Sequence, residues 1–239
     1  MQVHALISIY NDYSTLPLAI NSVSDLVDSI IVADGAYNLY LKKFKETNPT
    51  AKPHSTDGSL QILQAIPSIK NKLKIIECPD GKPWLNQCVK RTALLDAVPQ
   101  GDWFIVLDAD EMLYGDPDHG LNHIMSSGCL AGSMPLYNPG LDVSGFWPYW
   151  HPRVFLKLDG MHYSRKHWNL RDGDHRVVEN SYPVKWVDDC VLVHLKTFRG
   201  KGRLNSHLGY MRMMSLEGWM EPTKVTGEIR GAQHFNLDQ

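Results

Sequence analysis

The chain has 239 residues, 43% of them hydrophobic, 10% aromatic and 21% charged, with a formal net charge of −2. This composition excludes a disordered chain, and no stretch approaches the roughly 18 consecutive apolar residues of a membrane-spanning helix. No basic start followed by an apolar run opens the chain, because His4, Tyr10, Asn11, Asp12 and Asp25 interrupt it, so the sequence reads as soluble and cytoplasmic. The four cysteines (Cys78, Cys88, Cys129, Cys190) never form a C-x-x-C pair and read as reduced thiols. Residues 1–149 carry 10 basic against 16 acidic residues, whereas residues 150–239 carry 14 against 10. The asymmetry is either a solvated surface or a second half that meets an anionic partner.

In chain order, residues 3–9 (VHALISI) form a short apolar run bounded by Tyr10-Asn11-Asp12, the pattern of a buried strand. Leu16, Ala19, Ile20 and Val23 follow at helical spacing, with Ser14 as a candidate N-cap and Pro17 near the helix start. A second strand at 29–32 runs into Asp34-Gly35. A helix around Leu60–Ile66 stops at Pro67, a third strand covers 73–77, a helix covers 84–97, and a fourth strand, 103–107 (WFIVL), leads into Asp108-Ala109-Asp110-Glu111. Strands alternating with helices of this length predict βαβ units and an α/β fold with a mostly parallel sheet covered on both faces. Such sheets bind ligands beyond the carboxyl ends of their strands, where Asn11, Asp12, Asp34, Asp108 and Asp110 fall. Beyond residue 112 the alternation fades into strand-like pieces at 132–136, 154–158, 184–187 and 191–195, with a final amphipathic helix over 203–216. Neither G-x-G-x-x-G nor G-x-x-x-x-G-K-[ST] occurs, which argues against a dinucleotide dehydrogenase and a P-loop NTPase.

The acidic strand tip carries the chemistry. Desolvation and mutual repulsion both disfavour Asp108, Asp110 and Glu111 so close together. A hard divalent cation relieves both, as does a turn into water where the acids cap a following helix. If the chain stays extended, Asp108 and Asp110 point one way and Ala109 the other. Lys90-Arg91 is either a solvated pair or a cationic approach to a diphosphate. Lys82 and Trp84 fall in a loop, 80–84, that could line the same cleft, although Trp84 reads better as a packing residue. His194, ending VLVH, is either a core histidine or a metal ligand. Lys196, Arg199, Lys201 and Arg203 lie in a Gly-broken segment (KTFRGKGR) that suits a lid over a diphosphate, a polyanionic acceptor, or plain solvation.

The stretch 101–111, GDWFIVLDADE, resembles the GDW-x-x-x-LDADE segment of family-2-like glycosyltransferases with the GT-A fold. Ile31-Val32-Ala33-Asp34-Gly35 resembles the family's second-strand end, where an Asp contacts the nucleotide base. The family's continuous D-G-S-T-D-G run is split here: Asp34-Gly35 stands alone and Ser55-Thr56-Asp57-Gly58-Ser59 resumes it after an insertion, residues 36–54, that could hold a short basic helix. Lys90-Arg91 resembles the family's K-R-N element, with Thr92 in place of Asn. Residues 146–155, with their R-x-F strand, resemble the acceptor side. Gly160-Met161-His162-Tyr163 and Lys166-His167 resemble the G-x-x-Y…H-E stretch, but Trp168 replaces its Glu. Candidates for the base are therefore the nearby carboxylates Asp174, Asp172 and Glu179, of which Asp174, followed by His175, is preferred.

This resemblance implies a single GT-A domain over residues 1–239: a mostly parallel sheet with helices on both faces and a smaller mixed acceptor-side sheet. Residues 1–111 form the nucleotide-sugar half and 112–239 the acceptor half. It implies an inverting hexosyltransferase-type enzyme that moves sugar from a nucleoside-diphosphate sugar, UDP-linked, to a hydroxyl acceptor. Asp110, His194 and Asp108 would hold Mn²⁺ or Mg²⁺, the imidazole favouring Mn²⁺. Tyr10, Asn11, Asp34, Lys82, Arg91, Asp108, Ala109, Lys196, Arg199 and Lys201 would line the donor site. Rival readings are an inactive nucleotide-sugar-binding module and a sugar-phosphate nucleotidyltransferase. Against the latter, residues 8–12 lack the Gly-rich cationic first loop. A glycan, a protein or a modified nucleic acid would each serve as acceptor.

Overall fold

The structure is a computed structural model that describes residues 1–137, 149–164 and 169–195. The predicted 203–216 helix, Lys196, Arg199 and Lys201 lie outside the described residues. The first strand, β1 (Val3–Ile9), is followed by α1 (Leu16–Val23), β2 (Ser29–Asp34), α2 (Asn38–Phe44), α3 (Ser59–Ala65), β3 (Leu73–Ile76), α4 (Gln87–Asp96) and β4 (Trp103–Asp108). Then come β5 (Glu111–Gly115), α5 (Pro117–Ser126), β6 (Ala131–Tyr137), β7 (Tyr149–Leu156), β8 (His162–Tyr163), β9 (Leu170–Arg171), α6 (Val178–Ser181), β10 (Val184–Trp186) and β11 (Cys190–His194).

The main sheet runs β3-β2-β1-β4-β7-β6-β11-β5, with β10 also on β6, while β8 and β9 form a separate two-stranded antiparallel sheet. Its first four strands are parallel, as the βαβ pattern requires. Side chains alternate across it with period two. Ala5, Ile7, Ile9, Ile30, Val32, Ile105 and Leu107 face one core, which α1, α3 and α5 close with Leu16, Ile20, Leu63, Leu121 and Ile124. Leu6, Ile31, Ala33, Phe104 and Val106 face the other, closed by Leu94 and Leu95 of α4 and by Tyr163, Leu170 and Val178 of the β8–α6 segment.

Two expectations change. The acids after β4 cap no helix: residues 109–110 turn, and Glu111 starts β5. And α1 is entered at Thr15, not Ser14, with the Leu16 N–H donating to the Asp12 carbonyl. Because β5 pairs with β11 at the far edge of a curled sheet, His194 lies opposite Glu111 in register. That pairing brings the end of the described chain back to the β4 tip. Among the described residues no helix is long and apolar enough to cross a membrane.

Candidate active site

Parallel register sets the strand ends side by side, Asp34 beside Ile9 and Asp108 beside Ser8. The two acids thus stand about 10 Å apart across two strand spacings. Between them lies Lys90, a fully buried side chain whose Nζ donates to the Ile9 and Gly35 carbonyls, each at 2.7 Å. It also sits over the Tyr37 ring, 5.3 Å from the centroid. The sequence marks Lys90 only as half of a basic pair. Its role in tying together the ends of β1 and β2 depends on α4 lying across them.

Asp34 is buried, and its carboxylate accepts from the Ser55 N–H (3.0 Å) and Oγ–H (2.5 Å). The two halves of the split motif therefore meet in space. Gly35 follows at φ +115°, where a Cβ would come within 3.0 Å of Cys78 and 3.1 Å of the Trp84 indole nitrogen, so glycine is required there. Trp84, read from the sequence as a packing residue more than a cleft-lining one, is indeed buried and donates its indole N–H to the Asp34 carbonyl at 2.6 Å. Asn11, at φ +53°, donates its N–H to Ser55 Oγ and accepts from the Thr56 N–H through Oδ1, both at 2.8 Å. Lys82 is exposed on the loop before Trp84.

The insertion leaves the sheet at Gly35 and returns at Ser55, as expected, and carries the basic helix α2, with Lys42 exposed on it and Lys45 exposed at its C-cap. It is more than a surface excursion. Tyr40, Leu41 and Ala36 form a small core around Tyr10, whose ring meets Tyr40 edge-on at 5.8 Å and whose hydroxyl donates to the Lys52 carbonyl. Tyr10 is thus a packing residue with little surface for a ligand.

At the β4 tip each acid has a partner of opposite charge or an imidazole. Asp108 pairs with buried Arg91. Glu111 accepts from Arg153 at 2.5 Å and from the Asp108 N–H at 2.8 Å. Asp110 lies 3.2 Å from His194 Nε2. Ala109 packs into the core, but at a turn, so the strand alternation expected of an extended 108–110 does not apply. The protein's own cations thus relieve much of the repulsion that the sequence seemed to leave to a metal. Asp108 turns to Arg91 rather than converging with Asp110 and His194, and no group of three His, Cys, Asp or Glu gathers as a metal site among the described residues.

Burial lowers the pKa of His194, but the Asp110 hydrogen bond and the charges of Asp110, Glu111 and Asp108 outweigh it and hold the pKa above the usual value. Burial lifts the Glu111 carboxyl, with Arg153 pulling the other way. Burial works against the Arg91 charge too, yet Asp108, Tyr163, Tyr37 and Glu111 keep Arg91 protonated. The Glu111–Arg153 pair escaped sequence reasoning. Its signal was a lone Arg in the R-x-F strand, which forms the antiparallel neighbour of β4.

The three base candidates differ. The Asp172 carboxylate accepts from the Asp174 and Arg176 N–H groups, from Arg176 Nε and from the Tyr182 hydroxyl. Led by the Tyr182 bond, these contacts pull its pKa to about 2, so Asp172 is a loop anchor and a weak base. Asp174 is exposed and paired with Arg176 at 2.8 Å. Burial alone raises the Glu179 carboxyl.

No protein-family model matches the sequence, and no curated protein matches it significantly. Among solved structures, Staphylococcus aureus TarS 1–349 in complex with UDP-GlcNAc matches at TM-score 0.55 and 12% identity, over 91% of this chain and 66% of that one. Another crystal structure of TarS 1–349 matches at 0.54 and 12%, over 91% and 65%. The bifunctional IspDF from Campylobacter jejuni, at 0.45 and 9% over 79% and 50%, is too distant to carry an argument. The chain spans about two thirds of the length of the TarS 1–349 structures. At this identity the likeness speaks to architecture alone: the chain has the fold of the TarS 1–349 structures, in agreement with the GT-A fold that the sequence resemblance implies.

Proposed function

We propose that the chain is a glycosyltransferase that takes its sugar from a nucleoside-diphosphate donor, UDP-linked, and passes it to a hydroxyl with inversion. One observation carries this reading: Asp110 and His194, 84 residues apart, meet at 3.2 Å beyond the β4 carboxyl end. One carboxylate and one imidazole are donors that suit Mn²⁺, or Mg²⁺ less well, with diphosphate oxygens and water as further ligands. When bound there, such a cation would offset the charge developing on the leaving diphosphate. Asp108 is the third ligand named by the motif, and it would have to exchange its Arg91 partner to join.

The chain's own groups have distinct parts in this reading. Lys90 and Ser55 hold the strand ends where the nucleotide sits. Asn11 and exposed Lys82 flank them. The acceptor proton goes to a carboxylate, and Glu179 suits that role best: burial raises its pKa, and among the described residues it has neither a hydrogen bond nor an ion pair.

The test is a panel of UDP-, GDP- and ADP-sugars with Mn²⁺, Mg²⁺ or EDTA, scoring both donor binding and release of nucleoside diphosphate. UDP-sugar hydrolysis that requires Mn²⁺ supports the reading. Binding with neither hydrolysis nor transfer points to an inactive nucleotide-sugar-binding module. Pyrophosphate release from a nucleoside triphosphate and a sugar phosphate identifies a nucleotidyltransferase.

A further inference from the structure

Away from the strand-end site, two histidines are brought together by a close backbone contact. Gly160, at φ +64°, precedes β8, and Gly173 follows β9. A Cβ on Gly160 would come within 2.7 Å of the Gly173 Cα, and one on Gly173 within 3.1 Å of the Asp159 carbonyl oxygen, so the close approach of the two loops depends on glycine at 160 and is tight at 173. That contact sets His162 beside His175, rings edge-to-face at 5.1 Å and His162 Nε2 3.4 Å from His175 Nδ1.

The tautomer follows from the neighbours. His162 Nδ1 lies 3.0 Å from the Gly160 carbonyl, which can only accept, so Nδ1 carries the proton and Nε2 presents its lone pair. An imidazole whose second nitrogen donates to a backbone carbonyl has the outer-shell arrangement of metal-binding histidines. The separation fits as well. Two nitrogens about 2.05 Å from one ion at a tetrahedral angle lie about 3.4 Å apart. His175 is fixed at φ +63°, its N–H donating to the Asp172 carbonyl and its own carbonyl accepting from Arg171. The loop that the Asp172 carboxylate anchors therefore also positions this ligand.

We infer that His162 and His175 form a two-histidine site for an imidazole-preferring divalent cation of the Zn²⁺, Ni²⁺ or Cu²⁺ class, which clips the β8 and β9 loops together. Binding moves the His175 proton from Nδ1 to Nε2 and leaves the remaining positions to water or an outside ligand. Soft-to-borderline ions suit two imidazoles, whereas Mg²⁺ and Ca²⁺ prefer oxygen. The inference is independent of the donor-site reading.

The test is a Zn²⁺ titration of the full chain labelled with ¹⁵N-histidine, followed by long-range ¹H–¹⁵N spectra, with Mg²⁺ as the control ion. The expected result is a joint shift of His162 Nε2 and His175 Nδ1 that saturates together and that Mg²⁺ does not produce. His162→Gln and His175→Asn should each lower Zn²⁺ affinity at this site at least tenfold and abolish the response of the other histidine. Both variants should keep the metal-free thermal midpoint and lose the rise that Zn²⁺ gives the parent chain. A response confined to other histidines, or one in which His162 and His175 respond independently, overturns the inference.

Discussion

Ser55 donates both its N–H and its hydroxyl to the Asp34 carboxylate, 21 positions away along the chain. One residue thus closes the insertion loop and completes a motif that the sequence presents in two pieces. Loop closure over such a length costs only slightly more than over a shorter one, because the cost grows with the logarithm of length.

Replacing Ser55 by Ala removes the hydroxyl donor and leaves a buried carboxylate short of one bond. A hydrogen bond to a charged group contributes about 1.5–3 kcal/mol, so Ser55→Ala should lower unfolding free energy by about 2 kcal/mol in urea titrations. Affinity for UDP should fall with it, while Ser55→Thr retains both.

The insertion should not be dispensable. Tyr40 is 6% exposed, stacked on Phe44 at 5.8 Å and edge-on to Tyr10. Truncating a buried aromatic costs about 3–5 kcal/mol, so Tyr40→Ala should cost about 3 kcal/mol by chemical denaturation. Cutting residues 36–54 back to a tight turn should destabilise the β1–β2 end rather than spare it.

Arg91 and Asp108 should show strong coupling in a double-mutant cycle. Breaking a buried pair costs about 3–5 kcal/mol, but the Asp108 side chain is 33% exposed and solvent screens part of that. Arg91→Met should cost about 2 kcal/mol. Arg91→Met/Asp108→Asn should recover much of it, because no buried charge is then left alone.

Acid stability should depend on Asp172. Its folded pKa is depressed from 3.8 to about 2, chiefly by the Tyr182 hydroxyl and then by Arg176. A depressed carboxylate contributes stability that is fully present above the unfolded pKa and is lost as pH falls through the folded one. The parent chain should therefore lose stability between pH 4 and pH 2, and Asp172→Asn should flatten that part of a pH series of unfolding midpoints.

Asp110→Ala should abolish Mn²⁺-dependent donor binding with the circular-dichroism spectrum unchanged. Glu179→Gln should keep donor binding and lower transfer at least a hundredfold, the usual scale of a lost general base, whereas Asp174→Asn leaves both intact. Equal loss in the Glu179 and Asp174 variants, measured as kcat at saturating donor, would remove Glu179 from the role.

The short apolar runs and helical spacings of residues 3–107 were enough to place four parallel strands and the helices between them, because burial on both faces of a parallel sheet leaves continuous apolar runs such as VHALISI and WFIVL. The acidic tip at 108–111 was legible for the same reason: charge at the end of a buried strand stands out against its surroundings. Which partner each acid takes was decided by tertiary structure alone. Arg91, Arg153 and His194 come from α4, β7 and β11, and only the sheet order and the β5–β11 register bring them to one place. The turn at 109–110 also escaped a local reading, since the chain leaves the β4 direction to reach the far edge of a curled sheet. Local sequence records which face a residue prefers. Contacts between residues tens of positions apart depend on how strands are ordered, and no local pattern of spacing encodes that order.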